Sequence, residues 1–181
     1  MSIGGLESLG AGDALAAASA LSRPAESCIN DPQLEIAWAV KAYEFAEIHY
    51  NLISSAEPEF LHLTEQDDGI YNEFRRSFPT MMIAILNPED LKSETSKEKW
   101  RAFCLLFDGK VAEFNFGTLL RLNATGEYSD ENTIFATRIQ FYAVEIARNR
   151  EGCNTTLWAK TTEASKDGVT TTLSDDVQGV A

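Results

Sequence analysis

The sequence lacks the short motifs that mark the best-known catalytic and nucleotide sites. It has no GxxxxGK[ST] phosphate loop, no GxSxG nucleophile turn and no CxxC pair. The glycines at Gly4, Gly5, Gly10 and Gly12 follow no predicted strand, so a dinucleotide- or methyl-donor-type Rossmann site is poorly supported. These absences argue against the enzyme classes built on these motifs and favour a binding protein without cofactors or catalytic residues.

Cysteines and long apolar runs are also scarce. Cys28, Cys104 and Cys153 are odd in number and far apart, which fits free thiols in a reducing compartment. No stretch approaches the roughly 18 apolar residues that a membrane span needs. The N-terminus has no basic region and carries Glu7 and Asp13, unlike a secretory signal. We therefore expect no membrane contact and a cytoplasmic location, with the nucleus as an additional one.

Basic residues are too few to balance the acidic ones. The 181 residues carry 28 acids against 15 lysines and arginines, a net charge of −13. Such a surface repels nucleic acid phosphates and hastens encounter with a basic partner. The alternative is that the acidity serves only solubility.

The distribution of large apolar residues predicts one domain with two tails. Residues 1–29 are rich in Gly, Ala and Ser and indicate a flexible arm, whereas 153–181 is threonine-rich without a sustained period and indicates a disordered tail. Residues 30–152 then form a single compact helical domain, mainly α, with at most a small β element. The alternative is an α+β fold with strands at 81–86 and 110–122, where periodicity cannot decide.

Helix start and stop signals are frequent within 30–152. Asp31 is the predicted N-cap of a helix that begins at Pro32 and ends near Ser55. A second helix is predicted to end before Pro79, and a third to begin at 87–88. Thr95–Glu98 matches a capping box for a helix that stops at 108–109, and Ser129 is predicted to cap the last helix, which ends at Gly152. The predicted apolar faces of the first and last helices consist of Leu34, Trp38, Ala42, Phe45, Ile48 and Leu52, and of Phe135, Ile139, Tyr142, Ala143 and Ile146.

Two histidines are the only obvious candidates for metal or acid–base chemistry. His62 stands three residues after Glu59, the ExxH spacing of di-iron helical bundles. Such bundles need a second ExxH motif and two further carboxylates, so we expect no metal site. His49 is predicted to lie at the edge of the buried face of the first helix.

Long sequence blocks resemble a known family. They cover about residues 20–152 and occur in order: Asn30–Pro32, Ile36–Ala39, Leu52–Ser55, Leu91–Glu94, Lys97–Arg101, Phe116–Leu122, Glu131–Ala136, Arg138–Phe141 and Glu145–Gly152. In these blocks the chain resembles the polysaccharide biosynthesis domain-containing protein 1 family.

The resemblance implies a mostly helical cytosolic chaperone. Its expected partner is nascent translation elongation factor 1-alpha, whose GTP-binding domain it would help to fold, with ribosome-associated factors as further partners. The GTP cycle of the client would drive release, so the chain itself would be no enzyme. The family name suggests instead an enzyme or accessory protein of polysaccharide biosynthesis, and a general acidic adaptor is a third alternative.

Two blocks extend beyond what packing requires, and we predict that they contact the client. The charges of Arg148 and Arg150 also have a structural explanation, because cations stabilise the C-terminal end of a helix. On the contact hypothesis, reversing these two charges weakens client capture without unfolding the domain. The predicted contact residues are Phe116, Leu119, Arg121, Arg148, Asn149, Arg150 and Glu151.

Overall fold

The computed structural model describes residues 32–170, and the side chains of 35–164. The predicted N-terminal arm, the Asp31 cap and residues 171–181 of the predicted tail lie outside this range. The elements in order are α1 (Pro32–Ser55), a short 3-10 helix (Pro58–Phe60), α2 (Asp67–Ser77), α3 (Glu89–Lys92), α4 (Glu94–Leu105), β1 (Gly117–Arg121), β2 (Thr133–Thr137), α5 (Arg138–Arg150) and α6 (Thr155–Thr170).

The predicted mainly α fold with a small β element is confirmed. β1 and β2 form an antiparallel hairpin in which Leu119 lies opposite Phe135. Of the two strands in the α+β alternative, the region 110–122 contains β1, but 81–86 forms only an isolated bridge between Ile85 and Asn123. Within residues 32–170, none of the helices has both the length and the hydropathy of a transmembrane segment.

Helix α1 has the predicted bounds, but its buried face is rotated from the predicted one. Ala42, Ala46, His49 and Ile53 are buried, whereas Ile48 is exposed. The face is set by small residues, because Ala42 and Ala46 allow the helix to approach the rest of the domain closely. The prediction used large apolar residues alone and therefore misplaced the buried face of α1.

Of the helices between α1 and the hairpin, α2 and α3 follow their predicted signals, whereas α4 does not. α2 ends before Pro79 and α3 follows Pro88. The predicted capping box at Thr95–Glu98 is wrong, because Ser93 is the N-cap of α4 and accepts a hydrogen bond from the Ser96 amide. α4 ends at Leu105, three residues before Asp108, although Gly109 does adopt the left-handed conformation with φ of 72°.

The last predicted helix begins later than expected. Ser129 caps no helix, and the next residues form β2, so Phe135 belongs to a strand. Thr137 caps α5 and forms a capping box with Gln140, in which each side chain bonds the other residue's backbone. The predicted C-terminal stop is confirmed, since Gly152 has a φ of 78°.

A further helix occupies part of the predicted disordered tail. α6 covers residues 155–170, where the threonines gave no helical pattern. Its start is held by contacts with the domain, because Leu157 is buried and the Thr161 hydroxyl donates to the Ser54 carbonyl of α1. Packing thus overrides weak intrinsic propensity here.

The core lies between α2, α4, α5 and the inner face of the hairpin. Aromatic rings form much of it, with the rings of Phe78 and Trp100 stacked at 4.2 Å between centroids. Its fully or nearly buried members include Ile70, Phe74, Phe103, Phe107, Leu120, Ile134, Ile139, Phe141, Val144 and Ile146.

Candidate functional site

The outer face of the hairpin carries an apolar surface. Successive side chains of a strand point to opposite faces, so Leu120 and Ile134 enter the core while Leu119 and Phe135 face the other way. Phe135 is 59% exposed, and its ring lies 4.8 Å from that of Trp38 on α1. The two neighbouring rings form a contiguous apolar patch, and contiguous exposed patches, unlike single residues, mark interaction sites.

Trp38 fixes α1 against this face of the hairpin. Its indole Nε1 donates a 3.0 Å hydrogen bond to the Gly117 carbonyl. A Cβ atom at Gly117 would lie 2.9 Å from that nitrogen, so only glycine permits this close approach. The glycine that begins β1 therefore determines where the tryptophan lies.

Phe116 extends the apolar surface toward charged side chains. Lys41 and Arg138 lie 4.8 and 5.4 Å from its ring centre, in cation–π geometry. Glu113 pairs with both cations, at 3.4 Å from Lys41 and 2.6 Å from Arg138. We call Trp38, Phe116, Leu119 and Phe135 together the hairpin surface.

At the other end of β1 the chain buries charge. Arg121 and Arg148 both bind the Glu145 carboxylate, at 3.0 and 2.8 Å, and all three side chains are fully buried. Arg121 also donates to the carbonyls of Ala124 and Gly126. Arg148 donates to those of Ile83 and Leu122. The two guanidinium groups thus fasten the loops around 83 and 122–126 to α5.

Asn154 completes the coordination of Glu145 and links it to Asn149. The Asn154 side chain accepts from Arg121 at 2.8 Å and donates to Glu145 at 3.0 Å and to Asn149 at 2.6 Å. Because Asn154 precedes α6, these bonds join the start of that helix to α5. A buried carboxylate is tolerated only with such a full set of donors.

His49 and Tyr128 close the remaining side of the carboxylate. The Tyr128 hydroxyl lies 2.8 Å from His49 Nδ1, and His49 Nε2 lies 3.8 Å from Glu145. Burial lowers the pKa of His49 to about 4, with the two arginines adding to the effect and Glu145 opposing it, so the ring is neutral at pH 7. Burial raises the pKa of Tyr128 far above its ordinary value. The tautomer with its proton on Nε2, toward the carboxylate, lets Nδ1 accept from the Tyr128 hydroxyl.

Glu145 remains ionised within this environment. Burial opposes its ionisation, but the combined charges of Arg121 and Arg148 outweigh burial and hold the pKa of the carboxyl well below its ordinary value. The cluster therefore contains two permanent cations and one anion. We call His49, Arg121, Tyr128, Glu145, Arg148, Asn149 and Asn154 the polar cluster.

The structure separates the predicted contact residues into two groups. Arg121, Arg148 and Asn149 belong to the polar cluster and are buried, so the expectation that they are available at the surface is wrong. The cause is that each satisfies a carboxylate, carbonyl or amide group inside the domain. Charge reversal at Arg148 would disrupt the interior and cannot serve as a test of client capture.

The other predicted contact residues remain accessible. Phe116 and Leu119 are half-buried members of the hairpin surface. Arg150 and Glu151 are exposed but already paired on α2, Arg150 with Asp68 at 2.6 Å and Glu151 with Arg75 at 2.6 Å. Client contact by these four residues stays a prediction.

The ExxH motif lies at the surface. His62 is 79% exposed and borders a shallow depression lined by residues 62–65, Asp67 and Asp68. The Asp67 carboxylate accepts from the amides of Leu63 and Thr64, which makes it a local loop anchor. No group of three potential metal ligands occurs within the described range 32–170.

Sequence reasoning missed most of the interior polar residues and Phe135, the most exposed residue of the hairpin surface. Tyr128, Glu145 and Asn154 carry no motif, and Phe135 was assigned to a helix. A usable signal was present in α5, where Glu145 and Arg148 interrupt an otherwise apolar helix face at a three-residue spacing that permits pairing.

Comparisons with known proteins agree on one family. The profile of a family described as PBDC1 protein matches residues 34–159. Protein PBDC1 of Homo sapiens is 60% identical over 143 residues, which cover 79% of this chain and 61% of the human protein's length. The PBDC1 homolog of Saccharomyces cerevisiae is 42% identical over 134 residues, covering 72% of this chain and 92% of the yeast protein.

A solved structure shares the fold. It is a solution NMR structure of a Saccharomyces cerevisiae protein, 40% identical, with a TM-score of 0.68. The alignment covers 76% of this chain and 97% of the yeast chain. The shared part therefore extends over nearly all of the yeast domain.

Proposed function

Because the chain belongs to the PBDC1 family, we propose that it is a client-specific chaperone of nascent translation elongation factor 1-alpha. In this proposal it binds the client's immature GTP-binding domain in the cytosol and assists its folding. The GTP cycle of the client drives release, and the chaperone makes and breaks no covalent bond. The sequence resemblance described above is the source of the client's identity.

The observation that carries the proposal is the hairpin surface. Phe135 is more than half exposed although its ring lies 4.8 Å from that of Trp38 and Leu119 stands opposite it on β1. Exposed aromatic residues on a rigid strand provide the apolar centre that protein interfaces need. The polar cluster, in contrast, is enclosed and uses its charged groups to hold chain segments together.

The charge of the chain supports the proposed partner. A net charge of −13 attracts a basic client and raises the rate of encounter at low salt. A nucleotide-binding α/β domain builds a parallel sheet slowly and exposes strand edges while it does so. An acidic protein with a small apolar surface can cover such an edge without competing for the nucleotide.

The test is co-purification of the full chain with the GTP-binding domain of elongation factor 1-alpha, with and without GTP. We expect capture without nucleotide, release with GTP, and loss of capture in Phe135→Ser. Phe60→Ser is the matched control, since Phe60 is 69% exposed on the 3-10 helix, which packs against α5 and α6. A wild-type chain that fails to capture this domain contradicts the proposal.

The alternative suggested by the family name has its own readout. Calorimetric titration of the full chain with nucleotide sugars would give heat of binding if the chain served polysaccharide biosynthesis. Saturable binding of a sugar donor, together with failure to capture the GTP-binding domain, would replace the chaperone proposal.

A further inference from the structure

The outer edge of β2 has unpaired backbone groups. Hydrogen bonds join Arg138 to Phe116 at 2.8 Å and Leu122 to Asn132 at 2.8 Å. In an antiparallel pair, hydrogen-bonded and non-bonded residue pairs alternate, so the Leu119–Phe135 and Arg121–Thr133 pairs are non-bonded. The N–H and C=O groups of Thr133 and Phe135 therefore point away from β1.

Within the described chain, nothing pairs with this edge. No backbone hydrogen bond joins Thr133 or Phe135 to another segment between residues 32 and 170. Thr137, at the end of the edge, is closed by the Gln140 side chain, which accepts from its amide at 2.8 Å. The open part of the edge is thus short and centred on Phe135, the most exposed residue of the hairpin surface.

The residues before β2 make one end of this edge acidic. Glu127, Asp130 and Glu131 are exposed, and none of them forms an ion pair with any residue in the range 35–164. At the other end Arg138 is largely buried and neutralised by Glu113. A strand placed along β2 would meet free negative charge near Thr133 and balanced charge near Thr137.

We propose that the edge of β2 accepts an extended, basic segment of the client as a third strand. This inference rests on the proposed function and specifies how the client is held. The segment would pair with the backbone of Thr133 and Phe135, place an apolar side chain on the Phe135 ring, and bring lysine or arginine to Asp130 and Glu131. Backbone pairing supplies the affinity, and the flanking charges select the segment.

A second copy of this chain is a poorer occupant of the edge. Two chains of charge −13 repel each other. An exposed strand edge is a general hazard for self-association, and the neighbouring carboxylates oppose it.

The test is amide hydrogen exchange of the full chain, alone and with the nucleotide-free GTP-binding domain of elongation factor 1-alpha. Strand addition predicts that the Thr133 and Phe135 amides exchange at least about 10-fold more slowly in the complex, because each gains a backbone acceptor. Docking through side chains alone would leave these two amides unchanged and would overturn the inference, while capture itself would still stand.

Two sets of variants separate the backbone contribution from that of charge. Phe135→Ala and Phe135→Pro both remove the ring, but only proline removes the outward N–H, which β1 does not use. We expect proline to weaken binding more than alanine does. Equal weakening, with a circular dichroism spectrum like that of the alanine variant, would overturn the strand model.

The charge set compares two double reversals of equal net change. Asp130→Lys with Glu131→Lys should weaken binding about 10-fold, whereas Glu57→Lys with Glu59→Lys should have a smaller effect. Equal effects of both pairs would contradict a basic segment at this edge. Slowed exchange at Thr133 and Phe135 without the client, together with a dimer in sedimentation, would assign the edge to a second copy and also overturn the inference.

Discussion

The end and the middle of strand β1 reverse the usual distribution of residues. At its last residue, Arg121 is charged and completely enclosed with Glu145 and Arg148. In its middle, Leu119 and the facing Phe135 are apolar and reach the surface. Buried charge must be paired, while an exposed apolar residue costs little. The interior thus fixes the loops by directed bonds, and the hairpin surface presents the apolar residues that the proposed function uses.

The largest effect on the contrast between enclosed charges and exposed apolar residues should come from removing the central anion of the polar cluster. Glu145→Gln leaves Arg121 and Arg148 buried without a counter-charge, so we expect a loss of about 3–5 kcal/mol in the free energy of unfolding. Urea denaturation followed by circular dichroism measures it. Glu151→Gln is the matched control, because that carboxylate pairs with Arg75 at the surface and should contribute less than about 1 kcal/mol. Equal losses for the two variants would contradict the assigned role of Glu145.

Lowering the pH should reduce the free energy of unfolding, because His49 of the same cluster is buried in its neutral form. The folded pKa of about 4 lies below the unfolded value of 6.5, so the unfolded chain binds the proton first as pH falls. Stability is then full above pH 6.5 and declines toward pH 4, by about 3 kcal/mol in total. Glu145, whose folded pKa is lowered, adds a further loss below its ordinary value of 4.5.

His49→Gln isolates the histidine contribution to this pH dependence. The variant should be less stable at pH 7 yet show a flatter decline between pH 6.5 and 4.5 in urea denaturation. His62→Gln removes the exposed histidine without opening the interior and serves as the control. A decline of unchanged steepness in His49→Gln would show that another group is responsible.

A smaller effect is expected at the base of the hairpin surface. Gly117→Ala would place a methyl group 2.9 Å from the Trp38 nitrogen and displace the ring from its hydrogen bond. We expect a loss of about 1–3 kcal/mol in thermal or urea unfolding. At Gly69, in α2, an added Cβ meets nothing closer than 3.9 Å. Gly69→Ala should therefore leave stability unchanged or raise it by up to about 1 kcal/mol. A loss at Gly69 as large as that at Gly117 would contradict this reading.

The smallest effect on stability should come from Phe135 itself. Phe135→Ser removes a ring that is 59% exposed and contacts Trp38, so the unfolding free energy should fall by no more than about 1 kcal/mol. Loss of client capture at nearly unchanged stability would mean that Phe135 acts in binding, whereas the polar cluster acts in stability. A large loss of stability would instead make Phe135 a packing residue.

Much of the fold could be predicted from the sequence because its signals are local. Proline and glycine at the ends of helices, and apolar residues at helical spacing, gave the bounds of α1, the end of α2 and the stop at Gly152. The hairpin was harder, because 133–137 is continuous with an apolar helix pattern. Only the Thr137 capping box marks where the strand gives way to α5.

The candidate sites could be predicted only in part. Phe116 and Leu119 were found as apolar residues outside a clean helical pattern. Arg148 and Asn149 were misplaced because a charged run at a helix end looks the same whether its partners are solvent or buried groups. The partners are the Ile83 carbonyl for Arg148 and the Asn154 side chain for Asn149, and no sequence motif marks either, so only the three-dimensional arrangement identifies them.

The contact between Trp38 and Phe135 also makes Trp38 an intrinsic fluorescent reporter of the hairpin surface. Of the three tryptophans, Trp100 is sealed in the core and Trp158 lies on α6, whereas Trp38 belongs to the hairpin surface. Its indole is hydrogen-bonded to a strand carbonyl and covered on one side by the phenylalanine ring. Replacing Trp100 and Trp158 by phenylalanine would leave Trp38 as the single tryptophan. Its emission wavelength would then report, without any added label, whether water or a bound partner covers the hairpin surface.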